Sequence, residues 1–425
     1  MLHVDDANIL NMLTEGKIGL EMENLRVTES GYMAQTKHPF PQDDPYIIRD
    51  FCENQTEINT APLPTPEAAL DFLSSQVERI KEKLSNMPER EYLWPFSNPP
   101  FIRNEEDIPI AVFYGEMEEK TRYREYLGRR YGRYKMAFSG IHFNYSFSEE
   151  LLQAEFAHSH YSDFRQFKDD FYIKLAAWMQ QYNWLVVAAI AASPILDSSF
   201  FEKEVFGHDV FNGMASSRCS EIGYWNFFTP IFDYRDLSSY VKSIEHYLDS
   251  GLILTSSELY YPVRLKTKGA YSLDSLKKTG ADHIELRMID LNPLSEVGLC
   301  IEDVRFMQLL LIYLASKGDI DMDADHQVQA IANTKNAARY DLKTVNLIMK
   351  VDCTISIADA AKKVIEDMQD FFRDKIPEAE ATLSFQHEKF VDMEKRYATE
   401  VRKRFSGGFV AKGMSWVKNG KKHKE

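Results

Sequence analysis

The sequence predicts an α+β fold built around a mostly antiparallel sheet. Residues 17–27, 139–147 and 283–290 alternate polar with apolar side chains, the pattern of strands with one face on a core and the other open. Long helical patterns separate these three stretches. A doubly wound parallel sheet is covered on both faces, so half-exposed strands favour the antiparallel arrangement.

The stretch 139–147 divides most clearly into two faces. Its polar and aromatic residues alternate strictly, with His142, Asn144 and Ser146 on one side and Phe143, Tyr145 and Phe147 on the other. The aromatic side suits a core, whereas the polar side presents groups that hydrogen-bond or bind metal ions. By itself, this stretch also fits a solvated edge strand on which one histidine points outward.

The other two strands carry charged residues with the same alternation. Glu21 and Glu23 share one face of the first strand, and Glu285 and Arg287 share one face of the last. Alternate residues on a strand lie about 6.6 Å apart, so each pair can provide neighbouring ligands without steric conflict. Each pair alone fits a surface charge pattern, but three such stretches together predict adjacent strands with a common polar face.

Electrostatics predicts that this polar face holds divalent cations. Two carboxylates about 5 Å apart repel each other by roughly 3 kcal/mol at an effective dielectric constant near 20, so several of them need cations to stay ionised. Carboxylate oxygens with an imidazole suit Mg²⁺ or Mn²⁺, and the lack of cysteine in these strands argues against structural zinc. Substrate phosphates commonly complete the Mg²⁺ shell, which points to nucleotide chemistry.

The elements before the central strand follow in chain order. Residues 1–16 are expected to form a short helix, and residues 28–32 a hairpin turn. In residues 47–59, Glu57 falls on the polar side of an alternating run and Asp50 precedes it at a bend, so both become candidate ligands. A loop with scattered acidic residues fits this segment equally well.

Two helices are predicted before the central strand. Thr65 and Pro66 open the first helix. Proline is tolerated there because the N–H groups of the first turn have no acceptor within the helix. An apolar stripe on this helix is expected to pack on the core. The second, residues 116–131, is charged and carries Tyr123 and Arg124.

Helical patterns dominate the second half of the chain. Residues 149–196 and 301–316 are expected to be helical, and the apolar run within the first of these is too short to span a bilayer, which indicates a buried helix. Residues 216–224 are polar and loop-like. Residues 258–266 are expected to form a strand with basic residues.

Composition excludes several classes of function. The 425 residues carry a net charge of −15, which disfavours a general nucleic-acid-binding surface, and are 44% hydrophobic, which allows a sizeable core. The four cysteines form no CxxC pair, so a disulfide framework and a zinc ribbon are disfavoured and a reducing compartment is favoured. No signal peptide is evident, and we expect a cytoplasmic protein without a membrane partner.

The known glycine-rich phosphate loops are missing from the sequence. It contains neither GxxxxGKS/T nor a GxGxxG that follows a strand. If a nucleotide binds, we therefore expect metal ions and arginine side chains to hold its phosphates.

Taken together, these motifs resemble the bacterial glutamate–cysteine ligase family, most closely the ligase domain at the front of bifunctional glutathione synthetases. The resemblance runs in the family's order between residues 17 and 307. The matching segments are residues 19–27 (GLEMENLRV), 50–57 (DFCENQTE), 91–95 (EYLWP), 123–125 (YRE), 130–132 (RYG), 139–147 (SGIHFNYSF), 192–194 (ASP), 218–224 (RCSEIGY), 258–260 (ELY) and 284–293 (IELRMIDLNP).

The resemblance implies a glutamine-synthetase-like fold, in which a curved antiparallel sheet forms a funnel with helices outside, in a single catalytic domain over residues 1–425. It implies ATP- and Mg²⁺-dependent ligation of the γ-carboxylate of L-glutamate to the amine of L-cysteine through γ-glutamyl phosphate. In the family's pattern the metal ions would be held by Glu21, Glu23, Asp50, Glu57, His142 and Glu285.

The same resemblance implies roles for further residues. Arg287 would meet the transferred phosphoryl group, and Arg124 would help to neutralise phosphate. The pocket for the amino-acid substrates would be lined by Phe51, Tyr123, Met136, Arg218, Tyr224 and Tyr260. No covalent enzyme intermediate is implied, so Cys52 and Cys219 are expected to be packing residues.

The chain departs from the family's pattern where the second substrate is concerned. Met136 stands where glutamine is expected, and Arg49 replaces a small polar residue. A γ-glutamyl ligase for another amino acid or amine is therefore the alternative.

After residue 320 the chain is shorter, diverged and mostly helical, and residues 418–425 are expected to be a disordered tail.

A third interpretation is a non-catalytic nucleotide-binding relic. It is disfavoured because a relic has no use for a repulsive cluster of carboxylates. No ATP-grasp domain is expected after residue 425, so a single activity is predicted.

Overall fold

An antiparallel sheet forms the centre of the fold, and helices pack against its apolar face. The computed structural model describes residues 2–349 and 354–419. The strands in these ranges are β1 (Gly16–Thr28), β2 (Ile47–Arg49), β3 (Gln55–Asn59), β4 (Glu91–Leu93), β5 (Ile141–Phe147), β6 (Leu196–Asp197), β7 (Asp209–Val210), β8 (Val263–Lys266) and β9 (His283–Ile289).

The central sheet has the strand order β2-β3-β1-β5-β9-β8, with β4 beside one end of β1. Every pairing in it is antiparallel, and within the described ranges it does not close on itself. β6 and β7 form a separate small sheet. The predicted α+β class with an antiparallel sheet is confirmed.

Several of the described helices pack on the apolar side of this sheet, whereas the helix Glu118–Tyr131 borders the cavity on its polar side. They are α1 (Ala7–Asn11), α2 (Pro66–Ser85), α3 (Glu118–Tyr131), α4 (Arg133–Met136), α5 (Glu149–His158), α6 (Phe164–Ile190), α7 (Leu237–Asp249), α8 (Leu273–Thr279), α9 (Ile301–Ala315), α10 (Ala324–Ala337), α11 (Ile357–Phe372), α12 (Ala379–Val391), α13 (Tyr397–Phe405) and α14 (Phe409–Asn419).

The register of the sheet brings the three predicted strands together. β1 and β9 lie on either side of β5, so that Glu21 is the partner of His142 and Asn144 is the partner of Glu285. On the other side of β1, Glu23 is the partner of Glu57. The opposite face of these strands joins α2, α6 and α9 in the main hydrophobic core.

A β-bulge interrupts the pairing of β9 with β5. Ile289 is the partner of Ile141, but Leu286 is the partner of Phe143, so β9 has one more residue than β5 between these pairs. Bulges re-aim side chains and leave backbone groups free of the ladder. Both Arg287 and Met288 consequently line the cavity on the polar face, and Met288 also belongs to the main hydrophobic core, as strict alternation predicts.

Several element boundaries differ from the predicted ones. The single helix predicted over 149–196 is two helices, because Asp163 caps a new helix by accepting a hydrogen bond from the Gln166 N–H. The strand predicted over 258–266 starts only at Val263, since Ser256–Glu258 forms a 3-10 helix and Pro262 has no N–H for a ladder.

The described part of the chain after residue 320 is mostly helical, as predicted, and its helices fold back on the core. α10 and α11 pack against α6, and α13 and α14 cover Trp94, which is buried against Phe96 and Phe409. Lys418 and Asn419, predicted to belong to a disordered tail, instead complete α14, and Lys418 forms an ion pair with Glu29 at 3.3 Å. Residues 420–425 lie outside the described residues.

The second half of α6 is the buried helix predicted from the apolar run, and its residues from Trp184 to Ile190 are all buried. Within residues 2–349 and 354–419, no helix combines the length and apolar character needed to cross a membrane.

The buried ammonium of Lys389 ties α12 to the core and provides a test of this packing. It donates to the carbonyl of Ala189 at 3.0 Å and lies 3.4 Å from Asp303 Oδ1. Because Lys389→Met leaves a buried carboxylate without its cation, we expect a loss of about 3–5 kcal/mol in the free energy of unfolding, measured by urea denaturation.

The matched control is Lys395→Met. Lys395 is half-exposed and pairs with Glu388 on the surface, so its replacement should leave the urea midpoint unchanged. Equal midpoints for the two variants would contradict the role given to Lys389.

Candidate active site

One cavity collects every residue that the sequence analysis proposed for the site. It has a volume of about 390 Å³ and lies over the polar face of the central sheet. Its lining includes Glu21, Glu23, Asp50, Phe51, Glu57, Tyr123, Arg124, Met136, His142, Arg218, Tyr224, Tyr260, Glu285 and Arg287.

Glu21, His142 and Glu285 form the tightest group in this cavity. The Nδ1 atom of His142 lies 2.9 Å from Glu21 Oε2 and 3.5 Å from Glu285 Oε1. One potential ligand atom from each of the three residues lies within 4.8 Å of the others. They come from β1, β5 and β9, so the register of the sheet alone brings them together.

Side chains of the protein itself neutralise Glu285, which is completely buried. Arg287 Nη1 lies 2.8 Å and Lys266 Nζ 3.5 Å from its Oε1, and Arg264 Nη1 lies 3.7 Å from its Oε2. Burial alone would raise the pKa of Glu285, but these cations outweigh it and hold the pKa well below its usual range. Glu285 is therefore ionised, as a metal ligand must be.

Pooled carboxylates need cations, and the chain itself supplies part of them. Arg264 and Lys266 were not proposed for the site. The sequence pattern could have indicated them, because the two basic residues alternate on a predicted strand and so share one face of it. What could not be foreseen was that β8 pairs with β9 and places Arg264 opposite Glu285.

Glu23 and Glu57 are compensated less fully, because Arg218 and Arg287 lower the pKa of Glu23, and Arg124 that of Glu57, by less than burial and neighbouring acids raise it. Burial, followed by the charge of Asp50, raises the pKa of Glu23 to about 8. Burial and the charges of Asp50, Glu21 and Glu23 raise the pKa of Glu57 well above its usual range. Glu23 accepts a hydrogen bond from the Gly140 N–H at 2.9 Å, and its Oε1 lies 4.0 Å from Nε2 of His142, whose pKa is lowered by burial.

The donor set fits a hard divalent cation. It consists of carboxylate oxygens and one imidazole, the combination that Mg²⁺ and Mn²⁺ accept. The Oε2 atom of Glu285 is buried and makes no hydrogen bond within the described residues, which leaves a lone pair free for a ligand. Glu21, His142 and Glu285 meet the spacing for one ion, whereas Glu23, Asp50 and Glu57 line the same cavity without forming a second group that tight among the described residues.

Arg218 enters the cavity across the bulge of β9. Its Nη2 donates to the Arg287 carbonyl at 2.9 Å, while Nη1 is buried without a hydrogen-bond partner in the described part of the chain. Gly140 makes this path possible, because a Cβ there would lie 2.3 Å from the guanidinium carbon. Asp290, just after β9, anchors the loop that carries Arg218 by accepting a hydrogen bond from the Ser216 hydroxyl at 2.9 Å.

Aromatic side chains line the end of the cavity near Asp50. The rings of Tyr224 and Tyr260 lie 4.0 Å apart between centroids, and the Tyr260 hydroxyl is buried without a partner among the described residues. Burial, then the charges of Asp50 and Glu23, raises the pKa of Tyr224 well above its usual range. Met136 is buried in the same apolar cluster as Phe51 and Tyr260.

Arg124 reaches the same end from α3. Its Nε donates to the Asp50 carbonyl, and its guanidinium carbon lies 4.7 Å from the centre of the Phe113 ring. Arg49, the departure noted from the sequence, lies at the same ring at 5.5 Å and pairs with Glu53 at 3.6 Å. Both arginines line the cavity.

A second cavity of about 670 Å³ adjoins the first. Glu21 and Lys266 line both, so these two side chains stand at the junction. Asn144, on the same face of β5 as His142, also lines the second cavity and donates to Glu21 Oε1 at 3.1 Å.

The described cysteines are free thiols without catalytic character. Burial, then the charge of Asp290, raises the pKa of Cys219 to about 12, and burial likewise raises the pKa of Cys52. Neither lines the main cavity, which agrees with their expected role in packing. Cys353 lies outside the described residues.

Comparison with known proteins finds relatives over most of the chain. The model of the glutamate-cysteine ligase family matches residues 1–252 and 229–337. The glutathione biosynthesis bifunctional protein GshAB of Listeria innocua is 35% identical over 406 residues, which are 92% of this chain and 52% of that protein. The protein of the same name from Clostridium perfringens is 32% identical over 86% of this chain and 48% of its own length.

Two solved structures share the fold. The bifunctional glutathione synthetase of Pasteurella multocida superimposes with a TM-score of 0.84 and 26% identity, over 98% of this chain and 54% of that one. The glutamate–cysteine ligase of Francisella tularensis in complex with AMP has a TM-score of 0.84 and 22% identity, over 95% and 88% of the two chains. The chain thus spans about half the length of the curated relatives it matches.

The donor set predicts that divalent cations stabilise the protein. An ion that binds only the folded state at 100 times its dissociation constant adds about 2.7 kcal/mol to the free energy of unfolding. We expect MgCl₂ or MnCl₂ to raise the melting temperature of the wild-type protein. Glu285→Gln should abolish this rise, because the substitution removes a charged ligand.

Glu155→Gln is the matched control for this measurement. Glu155 is a buried carboxylate on α5 that lines neither cavity and pairs with His3 at 2.7 Å. The control should keep the full response to the ions. A wild-type protein whose melting temperature does not respond to either ion would contradict the metal assignment.

Proposed function

The chain belongs to the glutamate–cysteine ligase family, and from this premise we propose that it joins L-glutamate to L-cysteine at the expense of ATP. The products are γ-glutamylcysteine, ADP and phosphate. One observation carries the proposal, namely that all fourteen residues which the family's pattern indicates line one cavity. That cavity also contains the grouping of Glu21, His142 and Glu285, whose spacing suits a cation.

The reaction needs activation because a carboxylate is a poor electrophile. Transfer of the γ-phosphoryl group of ATP to the γ-carboxylate of glutamate gives an acyl phosphate, and the bond from that phosphorus to the ADP oxygen breaks. Phosphoryl transfer depends mostly on positioning and on neutralising charge. Arg287 and Lys266 supply positive charge at one end of the cavity, and Arg124 at the other.

We propose that Mg²⁺ or Mn²⁺ binds Glu21, Glu23, Asp50, Glu57, His142 and Glu285. When bound, such ions neutralise phosphate oxygens and orient them for in-line transfer. The protein holds the ligands ready for this role. Asn144 and His142 fix the Glu21 carboxylate through hydrogen bonds of 3.1 and 2.9 Å, and the Gly140 N–H fixes Glu23.

The second step is attack of the uncharged amine of the acceptor on the acyl carbon. The bond between this carbon and the bridging oxygen breaks, the amine loses a proton and phosphate leaves. Arg287 and Arg218 lie at the cavity wall where the departing anion needs cations. The raised pKa of the Cys219 thiol supports a mechanism without a cysteine nucleophile.

The two adjoining cavities suggest how the substrates divide the space. We place the nucleoside of ATP in the second cavity and its terminal phosphate at Lys266 and Glu21, which line both cavities. The amino acids then occupy the aromatic end near Tyr224 and Tyr260. The structure of the Francisella tularensis relative was solved with AMP, which supports a nucleotide as one of the substrates.

For the acceptor substrate, a specific observation favours an alternative to cysteine. Met136 is buried in the wall of the amino-acid end, beside Phe51 and Tyr260, where the family's pattern has an amide. A thioether cannot donate a hydrogen bond, and it makes this wall apolar. The second candidate function is therefore a γ-glutamyl ligase for another amino acid or amine.

We also propose a cytoplasmic location, which the three free described thiols support.

An amine panel tests the reaction and the acceptor together. With ATP, Mg²⁺ and glutamate present, we expect cysteine to give ADP release with the highest kcat/KM of the panel. A different amine with a higher value would favour the second candidate. No amine-dependent ADP release at all would contradict both.

The variant Met136→Gln tests the cause of any change in acceptor preference. Restoring the amide should alter kcat/KM for the acceptor and leave KM for ATP unchanged, because Met136 lines only the amino-acid end. Identical acceptor profiles in the variant and the wild type would remove Met136 as a specificity residue.

The variant Lys266→Met tests the junction of the cavities. Loss of a charge that meets phosphate should raise KM for ATP about tenfold, corresponding to about 1.4 kcal/mol. Lys278→Met is the matched control, because Lys278 is exposed and lines neither cavity. An equal effect of both substitutions would contradict the position of the phosphate.

A further inference from the structure

A buried carboxylate outside the cavity joins the segments that form its amino-acid end. Glu258 is fully buried at the end of the 3-10 helix Ser256–Glu258, and it does not line the cavity. Yet it lies between α3 and the loop that leads to Tyr260. The reaction proposed above gives it no role, so its burial needs another explanation.

Four donors satisfy the two oxygens of this carboxylate. Its Oε1 accepts hydrogen bonds from Tyr131 at 2.8 Å and Tyr126 at 3.3 Å, and Arg130 Nε lies 2.9 Å away. Its Oε2 accepts from the Leu254 N–H at 2.7 Å. The carboxylate thus attaches α3 to the segment 252–258.

Asn226 brings a third segment into the same network. Its amide donates to the Glu258 carbonyl at 2.8 Å and to the Tyr131 hydroxyl at 3.1 Å, and its Oδ1 accepts from the Tyr260 N–H at 2.8 Å. Asn226 lies two residues after Tyr224. The loop that carries Tyr224 is therefore tied to the backbone that carries Tyr260.

The three segments carry the three tyrosines of the amino-acid end. Tyr123 lies on α3 and accepts a hydrogen bond from the Thr255 hydroxyl at 3.1 Å, next to the segment that Glu258 holds. The Tyr131 ring packs edge-on against Tyr260, with 5.2 Å between the ring centroids. Displacing one segment would therefore shift the walls of the pocket. Lys266 and Glu285 are held by the pairing of β8 with β9, although Arg264 on β8 also donates to the Leu259 carbonyl at 2.9 Å.

We propose that Glu258 is a positioning residue for the acceptor pocket, which it shapes by binding α3, the 224–226 loop and the 252–260 segment together. This inference rests on the proposed ligase function for its kinetic test. Glu258 touches none of the reacting atoms. Its effect passes through Tyr123, Tyr224 and Tyr260.

Glutamine cannot replace this glutamate without a mismatch. Arg130 and the Leu254 N–H are donors that can never accept a hydrogen bond, and they face different carboxylate oxygens. Whichever way the amide of Glu258→Gln turns, its NH₂ group faces one of them. The variant therefore keeps the volume of the side chain and loses part of the attachment.

The test compares wild type, Glu258→Gln and the remote control Glu155→Gln by steady-state kinetics. We expect Glu258→Gln to raise KM for the acceptor about tenfold, the effect of about 1.4 kcal/mol of lost binding, and to leave KM for ATP within about twofold. The control should change neither. An unchanged acceptor KM, or an equal rise in KM for ATP, would overturn the inference.

Hydrogen–deuterium exchange provides a readout that does not need turnover. Residues 123–131, 224–226 and 252–260 should exchange faster in Glu258→Gln, whereas β1, β5 and β9 should exchange as in the wild type. Unchanged exchange in those three segments would overturn the inference even if no amine is a substrate. A wild type without ADP release would contradict the proposed function alone.

A milder variant covers the case in which Glu258→Gln does not fold. Tyr131→Phe removes one of the four donors and leaves the ring contact with Tyr260. It should raise the acceptor KM by a smaller factor in the same direction, with KM for ATP unchanged. A rise in KM for ATP alone would overturn the inference.

Discussion

The fully buried negative charge of Glu285 is the constraint on which the rest of the site depends. A carboxylate at this depth is costly unless cations and hydrogen bonds surround it. Arg287 on the same strand and Arg264 and Lys266 on the next provide the cations. Because the partners lie on different strands, the charge is tolerated only when β8 and β9 pair in the observed register.

The same register decides which side chains of β5 meet the acidic residues. A slip of one residue would turn His142 into the core and bring an aromatic ring to the polar face. The aromatic residues on the other side of β5 prevent this, because Phe143 and Tyr145 are completely buried in the main core. Packing on one face of the sheet thus stabilises the geometry of the site on the other.

The cavity has two ends with different electrostatics. Near β8 and β9, the side chains of the protein neutralise the carboxylates, which suits a place where charged phosphate arrives and leaves. Near β3, Glu23 and Glu57 have raised pKa values because neighbouring acids surround them in a buried position. Bound metal ions would favour the ionised form of these two groups, so this end of the cavity gains more from added cations than the other.

The sequence by itself determined the chemistry of the polar face. Period-two alternation placed Glu21, Glu23, His142, Glu285 and Arg287 on open faces of strands, and this follows from the geometry of any extended chain. Segments with a strong local pattern, such as the capped helix α2 and the buried helix α9, were likewise predictable, because their signals lie within a few residues of each other. The resemblance to a family then assigned Asp50 and the aromatic residues, which periodicity alone left open.

Tertiary structure decided what depends on contacts between distant segments. The bulge that turns both Arg287 and Met288 toward the cavity arises from the pairing of β5 with β9, and the passage of Arg218 over Gly140 joins residues 78 positions apart in the chain. Lys266 and Glu258 were missed for the same reason, since their partners belong to other strands and loops. A local pattern records which face a side chain occupies, but only the folded chain determines which charge or hydrogen-bond donor stands opposite it.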